Sequence, residues 1–228
     1  MNSFAERYAL LQQDVQQICR QCDRNENDVR ILAVSKTFPV EAIIEAYSCG
    51  VRMFGENKIQ ELAAKASQLP EDIQWHFIGH LQSNKAAKAV ELAHWIHSVD
   101  SLKLLNKLDR CAGEQHKRPV ILLEVNSGED AKSGVSYDEL PELAKAAKDA
   151  VNLDFRGLMT MAPLCDDPAV WRNAFAKLQA ARNELEKSLG ISLPELSMGM
   201  TGDLAEAVCE GSTMLRIGSR LFGNRVYV

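Results

Sequence analysis

Long hydrophobic runs are absent from this sequence. Stretches such as Ile31–Val34 and Val120–Val125 fall far short of the ~20 apolar residues that a membrane-spanning helix requires. The opening segment carries Glu6 and Arg7 where a secretion signal needs an apolar stretch, so neither secretion nor membrane insertion is expected. Blocks of Lys or Arg, and basic stripes interleaved with aromatics, are equally lacking. With 26 basic residues against 31 acidic ones the net charge is -5, which argues against nucleic acid as a main partner. No Pro- or Gly-rich linker interrupts the chain. The cysteines at 19, 22, 49, 111, 165 and 209 are few and scattered, and a chain of 228 residues needs no staples. They are expected to be reduced thiols in a cytoplasmic protein.

What is present is the material for a core. Hydrophobic residues make up 46% of the chain and charged ones 25%, which are globular proportions. Phe4, Tyr8, Leu11, Val15 and Ile18 recur at helical spacing in an opening helix over Ser3–Cys22. After it, short β-branched runs alternate with longer amphipathic ones. Strands are expected near Ile31–Ser35, Val51–Phe54, Trp75–Ile78, Trp95–Val99, Val120–Val125, Asp154–Leu158, Glu195–Met198 and Met214–Ile217. Helices are expected near Val40–Cys49, Lys58–Ser67, Asn84–Leu92, Ser101–Ala112, Tyr137–Ala150, Ala169–Leu189 and Leu204–Glu210, several of them opened by Pro, Ser or Asp. This alternation predicts a parallel α/β architecture, and its eight units favour a single (β/α)8 TIM barrel over residues 1–228, with residues 1–22 as an additional helix packed on it.

Active sites of such barrels gather at the carboxyl ends of the strands. Lys36 ends the first strand, and period-two alternation places it with Leu32 and Val34 on one face. If that face is the interior, burial disfavours the ammonium, and a neutral amine can form a Schiff base with an aldehyde. A lysine snorkelling from a strand end is the alternative. Gly199 and Gly202 flank Thr201 after the seventh strand, and Gly218-Ser219 follow the eighth, where barrels often hold phosphate. Helix capping by Thr201 and Ser219 would serve the same pattern. Arg216 interrupts an apolar strand and therefore needs an acceptor, either a carboxylate such as Glu124 or Glu56 or a ligand. Asn57 would cap a helix or present its amide to a planar ligand. His80 stands at a strand-to-helix junction, where it would line the site or support it. Cys19 and Cys22 form a lone CxxC without a second pair, read as two thiols on a helix, and no metal is assigned.

Six segments carry a resemblance: ILAVSKTFP (Ile31 to Pro39), FGENKIQE (Phe54 to Glu61), WHFIGHLQSNK (Trp75 to Lys85), GLMTMAP (Gly157 to Pro163), ELSMGM (Glu195 to Met200) and RIGSRLFG (Arg216 to Gly223). Together they resemble the YggS/PROSC family of pyridoxal phosphate homeostasis proteins, in the right order and over almost the whole chain. The resemblance implies a barrel of the alanine racemase N-terminal domain type that holds pyridoxal 5′-phosphate (PLP) as a Schiff base on Lys36. It also implies phosphate contacts from Thr201, Gly218 and Ser219, a pyridine-nitrogen contact from Arg216, and a ring contact from Asn57. Thr201 stands where relatives carry serine, which keeps the hydroxyl.

A permanently cationic Arg216 opposite the pyridine nitrogen favours its unprotonated form, so carbanion stabilisation is weakened. Racemases of this fold, the resemblance implies, add a second domain and a tyrosine base. This chain leaves no room for the former, and Tyr8, Tyr47, Tyr137 and Tyr227 lie outside the eight junctions. The expectation is a non-enzymatic, monomeric PLP-binding protein of vitamin B6 homeostasis, affecting amino-acid metabolism, with apo PLP-dependent enzymes as acceptors. The alternative is a PLP-dependent amino-acid racemase or lyase with one-sided base catalysis. A cofactor-free lysine enzyme acting on carbonyl substrates is a third reading.

Overall fold

Each expected strand has a counterpart in the computed structural model, which describes residues 3–128 and 133–223. The strands are β1 (Arg30–Val34), β2 (Met53–Glu56), β3 (Gln74–Phe77), β4 (Trp95–Val99), β5 (Val120–Glu124), β6 (Asp154–Met159), β7 (Glu195–Ser197) and β8 (Met214–Ile217). All pair in parallel in sequence order, and β8 returns to β1 with Arg30 opposite Met214 and Ala33 opposite Ile217, which closes the barrel. The helices are α1 (Phe4–Gln21), before β1, then α2 (Val40–Ser48), α3 (Ile59–Ala66), α4 (Ala86–Leu92), α5 (Leu102–Glu114), α6 (Leu140–Asp149), α7 (Pro168–Leu189), α8 (Leu204–Cys209) and α9 (Ser219–Phe222).

Local chemistry explains several of the boundaries. Ser3 and Glu6 form a reciprocal capping box at the start of α1. Asp167 caps α7 through the Ala169 N–H, Pro168 occupies its first turn, and Gly190 ends it in the left-handed conformation at φ 65°. The second strand lies two residues later than expected. Val51 is drawn back by a hydrogen bond from its N–H to the Ala46 carbonyl, so it completes the exit from α2. Helix α6 starts at Leu140 because Pro141 fits only the first turn of a helix, and this leaves Tyr137 in the β5–α6 connection. The four-residue α9 is too short to stand out as a periodic pattern.

On the outer face of the sheet Ala33, Phe54, Phe77, Ile96, Ile121, Leu158, Leu196 and Leu215 pack with Ile43, Leu62, Leu108, Leu143, Phe175 and Ala207 of the surrounding helices in one buried cluster. Each large side chain so buried contributes roughly 1.5–3 kcal/mol. Helix α1 joins that cluster through Phe4, Leu11, Val15 and Cys19, with Tyr8 and Ile18 at its rim. Arg7 Nε donates to the Leu221 carbonyl, Arg220 pairs with Asp14, and the Phe4 ring meets Phe222 at 5.3 Å. Among the described residues no helix is long and apolar enough to cross a membrane.

The cysteines depart from expectation. Cys22, just beyond α1, and Cys209, the last residue of α8, form a disulfide across 187 positions of sequence, whereas Cys19, Cys49, Cys111 and Cys165 are free. Cys19 and Cys22 are therefore not a pair of thiols on one helix. The packing of α1 beside α8 brings the two partners together, and Arg24 secures the same corner by donating to the Val208 and Ser212 carbonyls at 2.6 and 2.8 Å. Thiol titration of the unfolded, unreduced protein should find four thiols, rising to the full six after reduction. Reduction should lower stability by about 2–4 kcal/mol. Six thiols before reduction would refute the pairing.

Candidate functional site

The carboxyl ends of β8, β1 and β2 are neighbours, and they carry most of the expected residues. Lys36 lies two residues beyond β1 and is half-buried, Asn57 directly follows β2, Arg216 lies within β8, and Gly218 and Ser219 join β8 to α9. The β8–α9 turn presses on the end of β1: a Cβ added at Gly218 would stand 3.3 Å from the Val34 carbonyl oxygen. The alternation inferred for β1 places Leu32 inside, and a Cβ at Gly55 of β2 would meet its side chain at 3.4 Å. Thr201 lies on the exposed β7–α8 loop. Neither Thr201 nor Ser219 caps a helix, because α8 starts behind Asp203 and α9 behind Gly218. Asp203 instead receives the Met200 N–H at 2.5 Å and so fixes the β7–α8 loop.

Asn57 does not spend its carbonyl on the fold. Its Oδ1 is buried with no hydrogen-bond partner among the described residues. Gly79 passes so close above it that a Cβ would lie 2.3 Å from the Asn57 backbone oxygen, so only glycine fits there. His80 stands further round the mouth after β3, mostly exposed, with Nδ1 3.5 Å from Asp100 Oδ2.

Arg216 is buried, and its contacts differ from the expected carboxylate pairing. Nη1 donates to the Ser197 carbonyl at 2.6 Å and to Ser197 Oγ at 2.8 Å, and Nη2 donates to the Thr160 carbonyl at 2.8 Å. Glu56 is engaged instead by Lys65 and Ser35. Burial pushes the Arg216 guanidinium down to about 10, with Asp203 and Glu124 opposing, so it remains cationic at neutral pH. Glu124, on β5, receives Ser133 Oγ at 2.7 Å, and burial raises its carboxyl pKa.

Behind Arg216 a chain of hydrogen bonds crosses the barrel interior. His97 Nδ1 lies 3.0 Å from Ser197 Oγ, and His97 Nε2 lies 2.9 Å from His76 Nδ1. Strands β4 and β7 are not neighbours, so the His97–Ser197 bond runs through the middle of the barrel. Arg216 can only donate; with the Ser197 hydroxyl donating to His97 Nδ1, His97 Nε2–H donates to His76 Nδ1 and the His76 hydrogen sits on Nε2. The remaining His76 Nε2 has no partner among the described residues. Burial holds both imidazoles well below the ordinary histidine pKa, so they are neutral.

A family model described as alanine racemase, N-terminal domain, matches residues 8–226. The chain belongs to that family. Within it, the YggS/PROSC relatives expected from the motifs are the similar ones. A pyridoxal phosphate homeostasis protein of Aquifex aeolicus is 39% identical over 224 residues, covering 97% of this chain and 98% of the relative. The structure of PipY from Synechococcus elongatus with PLP bound is 41% identical with a TM-score of 0.83, covering 96% of this chain and all of that one. An alanine racemase of Clostridium difficile shares the fold alone, at 14% identity and a TM-score of 0.76, and the alignment takes in 58% of that chain.

For this member of the alanine racemase N-terminal domain family, Ser197, Thr160 and His97 are the residues that sequence reasoning missed. A signal for two of them exists in strand alternation. Ser197 and His97 are polar residues inside apolar strands, as Arg216 is, and polar residues so placed must find one another.

Proposed function

We propose that this chain is a non-enzymatic PLP-binding protein of vitamin B6 homeostasis that holds the cofactor reversibly on Lys36 for storage or delivery. The observation that carries this reading is the convergence of one amine, one buried guanidinium and a close-packed glycine turn on adjacent strand ends, beside an amide oxygen left without a partner. Those residues fit the group. Lys36 would supply the amine, Arg216 would meet the ring nitrogen, Asn57 would contact the ring, and Thr201, Gly218 and Ser219 would hold the phosphate. His80 would line the mouth beside them. When bound, PLP supplies an aldehyde that condenses reversibly with an amine and releases water, so a second amine can carry it away.

Among the described residues the racemase reading lacks a tyrosine base at the barrel mouth. Tyr8 and Tyr47 lie on α1 and α2, and the Tyr47 hydroxyl is committed to Asp72 at 2.7 Å. Burial pushes Tyr137 up to about 12, which makes it a poor proton acceptor at neutral pH, and Tyr227 lies outside the described residues. The protein is read as a cytoplasmic monomer whose acceptors are apo PLP-dependent enzymes. Borohydride added to the PLP-loaded protein should fix one PLP on the peptide containing Lys36, and Lys36→Ala should leave that peptide unlabelled. Protein that binds no PLP, or labelling spread evenly over surface lysines, would refute the proposal.

A further inference from the structure

Helix α3 reaches both peptide groups that flank Lys36. On one side Lys65 Nζ donates to the Ser35 carbonyl oxygen at 2.9 Å. On the other, Glu61, one turn earlier on the same helix, accepts the Thr37 N–H at 2.6 Å. Lys65 Nζ also donates to Glu61 Oε1 and to Glu56 Oε1, each at 2.7 Å, so its three N–H groups meet three acceptors. The Ser35 hydroxyl donates to the same Glu56 oxygen at 2.7 Å. The Lys65 and Glu56 side chains are 7% and 0% exposed, which makes this a built network rather than a surface pairing.

The residue between the two grips has a backbone that calls for support. Thr37 stands at φ 71°, a left-handed conformation that disfavours a β-branched residue. Glu61 and Lys65 reach from α3 to the β1–α2 loop. Their reach decides how the chain leaves β1, and Lys36 is the residue at which it leaves.

We propose that Glu61 and Lys65 are positioning residues for Lys36, gripping the peptide before it and the peptide after it and so fixing where its amine stands at the barrel mouth. This rests on the reading of Lys36 as the PLP-holding amine, but the grip itself can be tested without PLP. In the PLP-free protein, Glu61→Gln exchanges a charge-assisted hydrogen bond for a neutral one and should speed exchange of the Thr37 amide hydrogen by about tenfold. Lys36 acylation by an amine-selective reagent should change relative to exposed Lys58, which serves as the internal reference.

With PLP, borohydride capture at Lys36 should slow by about tenfold in Glu61→Gln. Thr37→Gly in that background should restore it to within about threefold, because glycine holds a positive φ without assistance. Lys65→Arg should retain capture better than Lys65→Met, which strands Glu56. Should Lys65→Met fail to fold, Glu61→Gln and its Thr37→Gly partner carry the test alone. Unchanged Thr37 exchange in Glu61→Gln would overturn the grip. So would slowed capture that Thr37→Gly does not restore, since that is the mark of a general loss of stability. Failure of the wild type to capture PLP would instead refute the function of Lys36, and the exchange measurement would still decide on the grip.

Discussion

Arg216→Met should destabilise the PLP-free protein by about 3–5 kcal/mol, because it removes three hydrogen bonds from a buried charged donor at once. The Ser197 and Thr160 carbonyls and the Ser197 hydroxyl all take hydrogen bonds from this one guanidinium, and both residues are buried. Methionine fills comparable volume but donates nothing. Arg216→Lys should fall between the two, since an ammonium keeps the charge yet cannot span Ser197 and Thr160 as a planar fork does. The measurement is urea unfolding without cofactor, followed by PLP titration of the variants that remain folded. A loss below about 1 kcal/mol for the methionine variant would mean that the interior rearranges to satisfy its own acceptors.

Acid should weaken the fold well before its carboxylates are all protonated. His76 and His97 are held neutral by burial, each with a pKa far below the ordinary value, so between pH 7 and 5 the unfolded chain binds protons that the folded one refuses. The histidine contribution is present above about pH 6.5 and falls away below it, by about 2 kcal/mol per histidine at pH 5. His94, half-buried and shifted the same way, adds a smaller share. Glu56 and Glu124 act in the opposite direction. Their raised pKa values make the folded state take up protons first, offsetting part of the loss. The expected net decrease in unfolding free energy from pH 7 to 5 is about 2–4 kcal/mol. His97→Gln, which has no proton to gain, should flatten the dependence, and a flat wild-type curve would contradict the buried neutral pair.

The barrel was legible because its signal repeats. The strands are short, largely apolar runs, the longer helices are amphipathic, and parallel order follows from their alternation. Residues at strand ends were legible for the same reason: Lys36, Asn57, Arg216 and the Gly218–Ser219 turn are found by counting from the apolar runs. What stayed hidden depends on distance across the fold. The His97–Ser197 bond joins residues 100 positions apart through the interior, and the Cys22–Cys209 bond joins residues 187 positions apart. The grip of α3 on the β1–α2 loop is shorter in sequence, but an i,i+4 Glu–Lys pair looks like any solvent-facing helix pair until its depth is known.

Helix α1 is the earliest element in the chain, and it docks on α8 and α9, the latest. A growing chain therefore exposes Phe4, Leu11 and Val15 to the cell while about 200 further residues are translated, an interval of roughly 10–40 s at common synthesis rates.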